Sequence, residues 1–91
     1  MAKMTFRMTV DTSEWTELAA GSAYSAIGLV TVAGSVLLFI GDTAPEMDET
    51  DTIEISSPDT REIAVDLPSS MTAYIRSERN ESSVQGYKVP V

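Results

Sequence analysis

Residues 18–41 run for twenty-four positions without a charged side chain. A stretch of that length either spans a bilayer, whose core takes about 20 apolar residues, or supplies buried strands to a small β domain. The flanks speak against the bilayer. Glu14 and Glu17 precede the run and Asp42 and Glu46 follow it, so neither end carries the Lys/Arg excess that orients a span. Gly21, Ser22, Ser25, Gly28, Gly34 and Ser35 interrupt it. Its most apolar part, IGLVTVAGSVLLFI, divides at Ala33-Gly34-Ser35 into two runs of strand length, rich in β-branched residues. Two neighbouring buried strands are expected, with a single-span membrane protein carrying 18–41 in the bilayer as the rival.

The surrounding segments alternate with the period of a strand. Met4, Phe6, Met8 and Val10 fall on one side of Thr5, Arg7 and Thr9. The same holds for Ile53 and Ile55, for Ile63, Val65 and Leu67, and for Met71, Ala73 and Ile75. Strands are expected at 3–10, 14–19, 26–33, 35–41, 52–56, 61–67, 71–78 and 83–89, joined by short turns such as 57–60, with its Pro58-Asp59 pair. The fold class that follows is all-β: a small antiparallel β-sandwich, jelly-roll-like, of about eight strands in a single domain over 1–91.

A chain of 91 residues buries a modest core. Cysteine and histidine are both absent, which removes disulfides, thiolate metal sites, the commonest metal ligand and the commonest general base. Association between copies is the remaining support. Strand 36–40 is apolar on both faces, so either a loop or a second subunit must cover its second face. The second subunit is the preferred expectation. It places Val36, Leu38 and Ile40 at the interface of a homo-oligomer, with Tyr74, Arg76 and Arg79 as an exposed aromatic and cationic patch of interface character.

Charge is distributed unevenly. Between Asp42 and Asp66 stand nine carboxylates and one cation, Arg61, which accounts for the whole formal charge of −8. The six basic residues are scattered, so no nucleic-acid partner is expected. In the acidic connection 42–51, Asp48, Glu49 and Asp51 are of a type that binds calcium, but the spacing is not that of an EF-hand loop and no internal glycine allows a tight wrap. A solvated hairpin tip is the expectation, with no metal and no cofactor. Without histidine a Ser-His-Asp arrangement cannot form, and neither Lys3 nor Lys88 sits in an S-x-x-K pattern, so no enzyme is expected. Trp15, Tyr24, Phe39, Tyr74 and Tyr87 are candidates for a sugar-stacking platform, with Phe39 assigned to the core. The beginning, MAKMTFRMTVD, lacks the apolar run of a secretory signal.

The order of these features resembles the small all-β virion structural proteins of tailed bacteriophages. The resemblance is carried by Trp15 with Leu18, by Gly41-Asp42 followed by Pro45, and by Leu67-Pro68 with Tyr74 to Ser77. It implies a non-enzymatic capsid decoration (cement) protein, a homo-oligomer and, as is common in that family, a trimer, that binds the major capsid protein on the virion surface after synthesis in the host cytoplasm. A fibre or tail module recognising host glycans is the rival within that class.

Overall fold

The computed structural model describes residues 4–56 and 63–91. The expected turn at 57–60, Arg61, the start of strand 61–67 and Lys3 lie outside the described residues. Eight strands form: β1 (Thr5–Val10), β2 (Thr16–Ala20), β3 (Tyr24–Ala33), β4 (Ser35–Gly41), β5 (Ile53–Ser56), β6 (Ile63–Asp66), β7 (Thr72–Ser77) and β8 (Ser82–Pro90). They make two four-stranded antiparallel sheets, in the orders β1-β8-β3-β6 and β2-β7-β4-β5.

That order has a simple origin. β1 pairs with β8, β2 with β7, β3 with β6 and β4 with β5, the pairings of one long antiparallel ribbon whose tip is the β4–β5 connection. Winding the ribbon on itself then brings β3 beside β8 and β4 beside β7. The result is a jelly-roll sandwich. Among the described residues no helix is long and apolar enough to cross a membrane, and the uncharged run supplies most of β2 together with all of β3 and β4.

One expectation is corrected here. β3 and β4 are consecutive but lie in different sheets, so the two halves of the uncharged run are not ladder partners of each other. The crossing is made at Gly34, whose φ of +88° is open to glycine and strained for other residues. A Cβ there would also stand 2.3 Å from the Ser82 hydroxyl oxygen, which accepts the Ser35 N–H at 3.2 Å.

The core fills the space between the layers. Val10, Leu18, Ile27, Leu29, Val36, Leu38, Ile55, Ala73, Ile75 and Val84 are buried there, with Phe6, Met8, Tyr24, Ile40, Ile63 and Val65 packed around them. The alternation extends beyond the core at strand ends: Met4, Ile53 and Met71 are exposed although each continues an inward series. The buried Thr31 hydroxyl of β3 donates to the Ile55 carbonyl of β5 at 2.8 Å, tying one sheet to the other.

Between β1 and β2, Asp11 shapes the turn. Its Oδ1 accepts the Ser13 hydroxyl at 2.6 Å and the Ser13 N–H at 3.0 Å, and these two bonds hold the carboxyl below the usual carboxylate range. A depressed folded value means that the stabilisation is present above the ordinary Asp value and is lost as pH falls through the depressed one. Ser13→Ala should therefore lower the melting temperature at neutral pH, with a deficit that shrinks on acidification below pH about 4. A deficit unchanged across that range would show that the charged carboxylate is not the acceptor that matters.

Candidate functional site

The outer face of β2-β7-β4-β5 carries the largest aromatic cluster. Alternation sends Val36 and Leu38 of β4 inward and Leu37 and Phe39 outward, and on β7 it sends Tyr74 and Arg76 outward beside them. Trp15, just before β2, lies across this face. Its ring centroid is 6.2 Å from that of Phe39, and the Arg76 guanidinium sits over it at 5.3 Å. Phe39 in turn meets Tyr74 at 6.5 Å. Gly41 belongs to the same arrangement, because a Cβ there would come within 2.6 Å of the Phe39 ring.

The acidic connection is tied to the cluster at Trp15. The Trp15 indole N–H donates to the Glu46 carbonyl at 3.1 Å. The loop leaves from β4, and the Trp15 ring that it meets lies beside Phe39 of the same strand. Glu49 N–H to the Glu46 carbonyl at 3.1 Å, and Asp51 N–H to the Glu49 carboxylate at 3.2 Å, shape it locally. Asp48, Glu49 and Asp51 do not converge: among the described residues no three acidic, His or Cys side chains gather as metal ligands.

These contacts redistribute the expected interface residues. Val36 and Leu38 are 0% and 1% exposed within a single copy, so they belong to the core and are not available to a partner. Ile40 packs against that core. The second apolar face of β4 is instead Leu37 and Phe39, and the chain's own Trp15 and Tyr74 pack beside Phe39, with Trp15 bonded to the acidic loop. Phe39 accordingly moves from the expected core to the outer cluster. Tyr74 and Arg76 are together there, half-buried. Arg76 donates through Nη1 to the Thr12 carbonyl at 3.3 Å, while its buried Nε has no hydrogen-bond partner among the described residues. Arg79 is apart from them, in the β7–β8 connection.

That connection borders a second polar cluster, around the Gly34 crossing. A cavity of about 330 Å³ is lined there by Ser35, Ser56, Glu54, Glu78, Arg79 and Glu81, among others. The Ser35 hydroxyl oxygen lies 2.9 Å from Glu78, 3.0 Å from Ser56 and 3.3 Å from Glu54, and its one proton serves one of them at a time. The buried hydroxyls of Ser77 and Ser82 meet each other at 2.7 Å and reach the Asn80 carbonyl. Sequence reasoning missed this cluster, because its serines come from four different strands. Lys88 places its ammonium over the rings of Phe6 and Tyr24, at 5.4 and 5.2 Å, in a cation–π arrangement.

Of the aromatic residues grouped as a sugar platform, Trp15, Phe39 and Tyr74 meet on one sheet, while Tyr24 and Tyr87 belong to the other. No protein-family model matches the chain, and no curated protein or solved structure matches it either.

Proposed function

We propose that this chain is a non-enzymatic structural protein of a bacteriophage virion: a head decoration protein that assembles as a homotrimer on the capsid surface, contacts the major capsid protein and stabilises the shell. The observation that carries the reading is the strand order, β1-β8-β3-β6 against β2-β7-β4-β5. That jelly-roll winding recurs in viral capsid and lectin domains, and the warrant is an analogy of fold. The residues that resemble those of small phage virion proteins also have structural work in common. Trp15 and Tyr74 build the outer cluster, Gly41 leaves room for Phe39, and Leu67 is buried.

The chemistry of the chain suits a binding role. It has no histidine and no cysteine, and the half-buried Tyr74 and Arg76 on its outer face are of the kind enriched in protein interfaces. With Val36 and Leu38 in the core, contact between copies falls to the outer surface, where Tyr74 and Arg76 stand. Repetition by symmetry on a shell turns individually weak contacts into firm attachment.

Quantitative mass spectrometry of gradient-purified particles whose genome encodes the chain should find it there in many copies, and sedimentation of the isolated protein should give a trimer. Absence from the particles, with the chain recovered only from the cell extract, would overturn the assignment. A monomer at every concentration would remove the trimer alone.

A further inference from the structure

The outer face of the other sheet, β1-β8-β3-β6, carries an opening that attachment to a shell does not require. Its floor is formed where Gly28 of β3 and Gly86 of β8 come side by side. Tyr87, paired with Gly28, lays its ring over that glycine: a Cβ on Gly28 would stand 2.3 Å from Cε2, 2.5 Å from Cζ and 2.7 Å from the hydroxyl oxygen. An aromatic ring covering a strand glycine is thereby held against the sheet. Beside it opens a cavity of about 390 Å³, bordered by Thr5, Val30, Gln85 and Tyr87. Thr5 and Gln85 are exposed and Tyr87 is half-buried, so the walls are reached from solvent.

We infer that this cavity is a binding site for a neutral pyranose, stacked on the Tyr87 ring and hydrogen-bonded by Gln85, Thr5 and the Tyr87 hydroxyl. A pyranose presents a patch of polarised C–H bonds ringed by hydroxyl groups. The electron-rich face of an aromatic ring receives the first. The amide and the hydroxyls, each able to donate and accept, receive the second. Arg7 donates through Nη2 to Gln85 Oε1 at 3.1 Å, which fixes that amide and leaves its N–H₂ group as the donor. The volume falls within the range of about 300–1,000 Å³ typical of small-molecule sites. Among the described residues no ionised side chain lines the cavity, and a chain of net charge −8 repels acidic saccharides at long range, so the ligand is an uncharged sugar. One copy of the chain supplies every group named, so the site is independent of assembly on a particle.

Amide NMR of the isotope-labelled protein tests this, with the methyl glycosides of glucose, galactose, mannose and N-acetylglucosamine added to millimolar concentration. At least one should shift the amides of Gly28, Gly86 and Tyr87 and leave the Trp15 indole signal in place, since Trp15 lies on the opposite sheet. Tyr87→Ala should weaken that response about tenfold; Tyr87→Phe, which keeps the ring and loses the hydroxyl, should weaken it by less, and Trp15→Ala should leave it in place. If Tyr87→Ala does not fold, Gln85→Ala, at an exposed position, replaces it in the same titration and should also weaken binding. No shift at these amides with any of the four sugars would overturn the site, as would shifts centred on Trp15. Shifts produced by raising the protein concentration alone would assign this face to a second copy of the chain and likewise overturn it.

Discussion

Leu38→Ala should lower the free energy of unfolding by about 2–5 kcal/mol, the range for truncating a large buried aliphatic side chain. Leu38 is 1% exposed and sits in the middle of β4, opposite Ile75 of β7 and Ile53 of β5. β4 and β7 are each held by ladders on both sides, so the surrounding core cannot collapse fully into the space left behind. Domains of this size are stable by only about 5–15 kcal/mol in total, and the loss is a large share of that. Urea denaturation followed by circular dichroism should show a lower midpoint at an unchanged slope. The same experiment separates the core placement from an interface placement. A residue between subunits would change the sedimentation coefficient while leaving the stability of the separated chain nearly intact. That second pattern would return Leu38, and Val36 with it, to a subunit boundary.

Gly86→Ala should be more damaging still, with a loss beyond about 4–5 kcal/mol that leaves little folded protein at room temperature. A Cβ at this position would lie 1.9 Å from the Gly28 carbonyl oxygen, 2.8 Å from the Leu29 Cα and 2.9 Å from the Gly28 carbonyl carbon. All three are backbone atoms of β3, and none can swing aside as a side chain does. Relief requires opening the β3–β8 ladder at its centre, where Leu29 pairs with Gly86. Gly28→Ala provides the comparison. The three atoms nearest its Cβ all belong to the Tyr87 side chain, which can swing aside, so the cost should stay near the roughly 1–3 kcal/mol typical of overpacking. Thermal melts of the two variants should rank in that order. A Gly86→Ala protein melting close to the unsubstituted chain would mean that β3 and β8 do not meet in this register.

Much of the fold is legible in the residues because the signal for a strand is local. Phe6, Met8 and Val10, or Ala73 and Ile75, alternate with polar neighbours wherever the strand is placed, and one layer of core suffices to explain them. Gly34 marks a break between two apolar runs, and the break is there. Strand β4 shows where this logic stops. SVLLFI is apolar at every position from Val36 to Ile40, so both registers satisfy the pattern, and one of the two sets must lie outside the core. Nothing in the run itself says that Phe39 is in the outer set. That depends on Trp15 and on the Glu46 carbonyl, which lies 31 positions from Trp15 in sequence.

The candidate sites follow the same division. Tyr74 and Arg76 were legible as an outward pair from the alternation of β7. Tyr87 over Gly28 was not, since a glycine inside a strand announces a close approach without naming what approaches.

The sequence by itself determined that this chain is all-β, where its described strands lie to within about two residues, and that its excess charge is gathered between Asp42 and Asp66, because period, turn chemistry and charge are properties of neighbours along the chain. Only the tertiary structure decided that β3 and β4 part into separate sheets, that Val36 and Leu38 face inward, and that the acidic connection meets Trp15 of the outer aromatic cluster. Those outcomes are set by which distant strands the wound ribbon brings together, and that is a matter of pairing across the whole molecule.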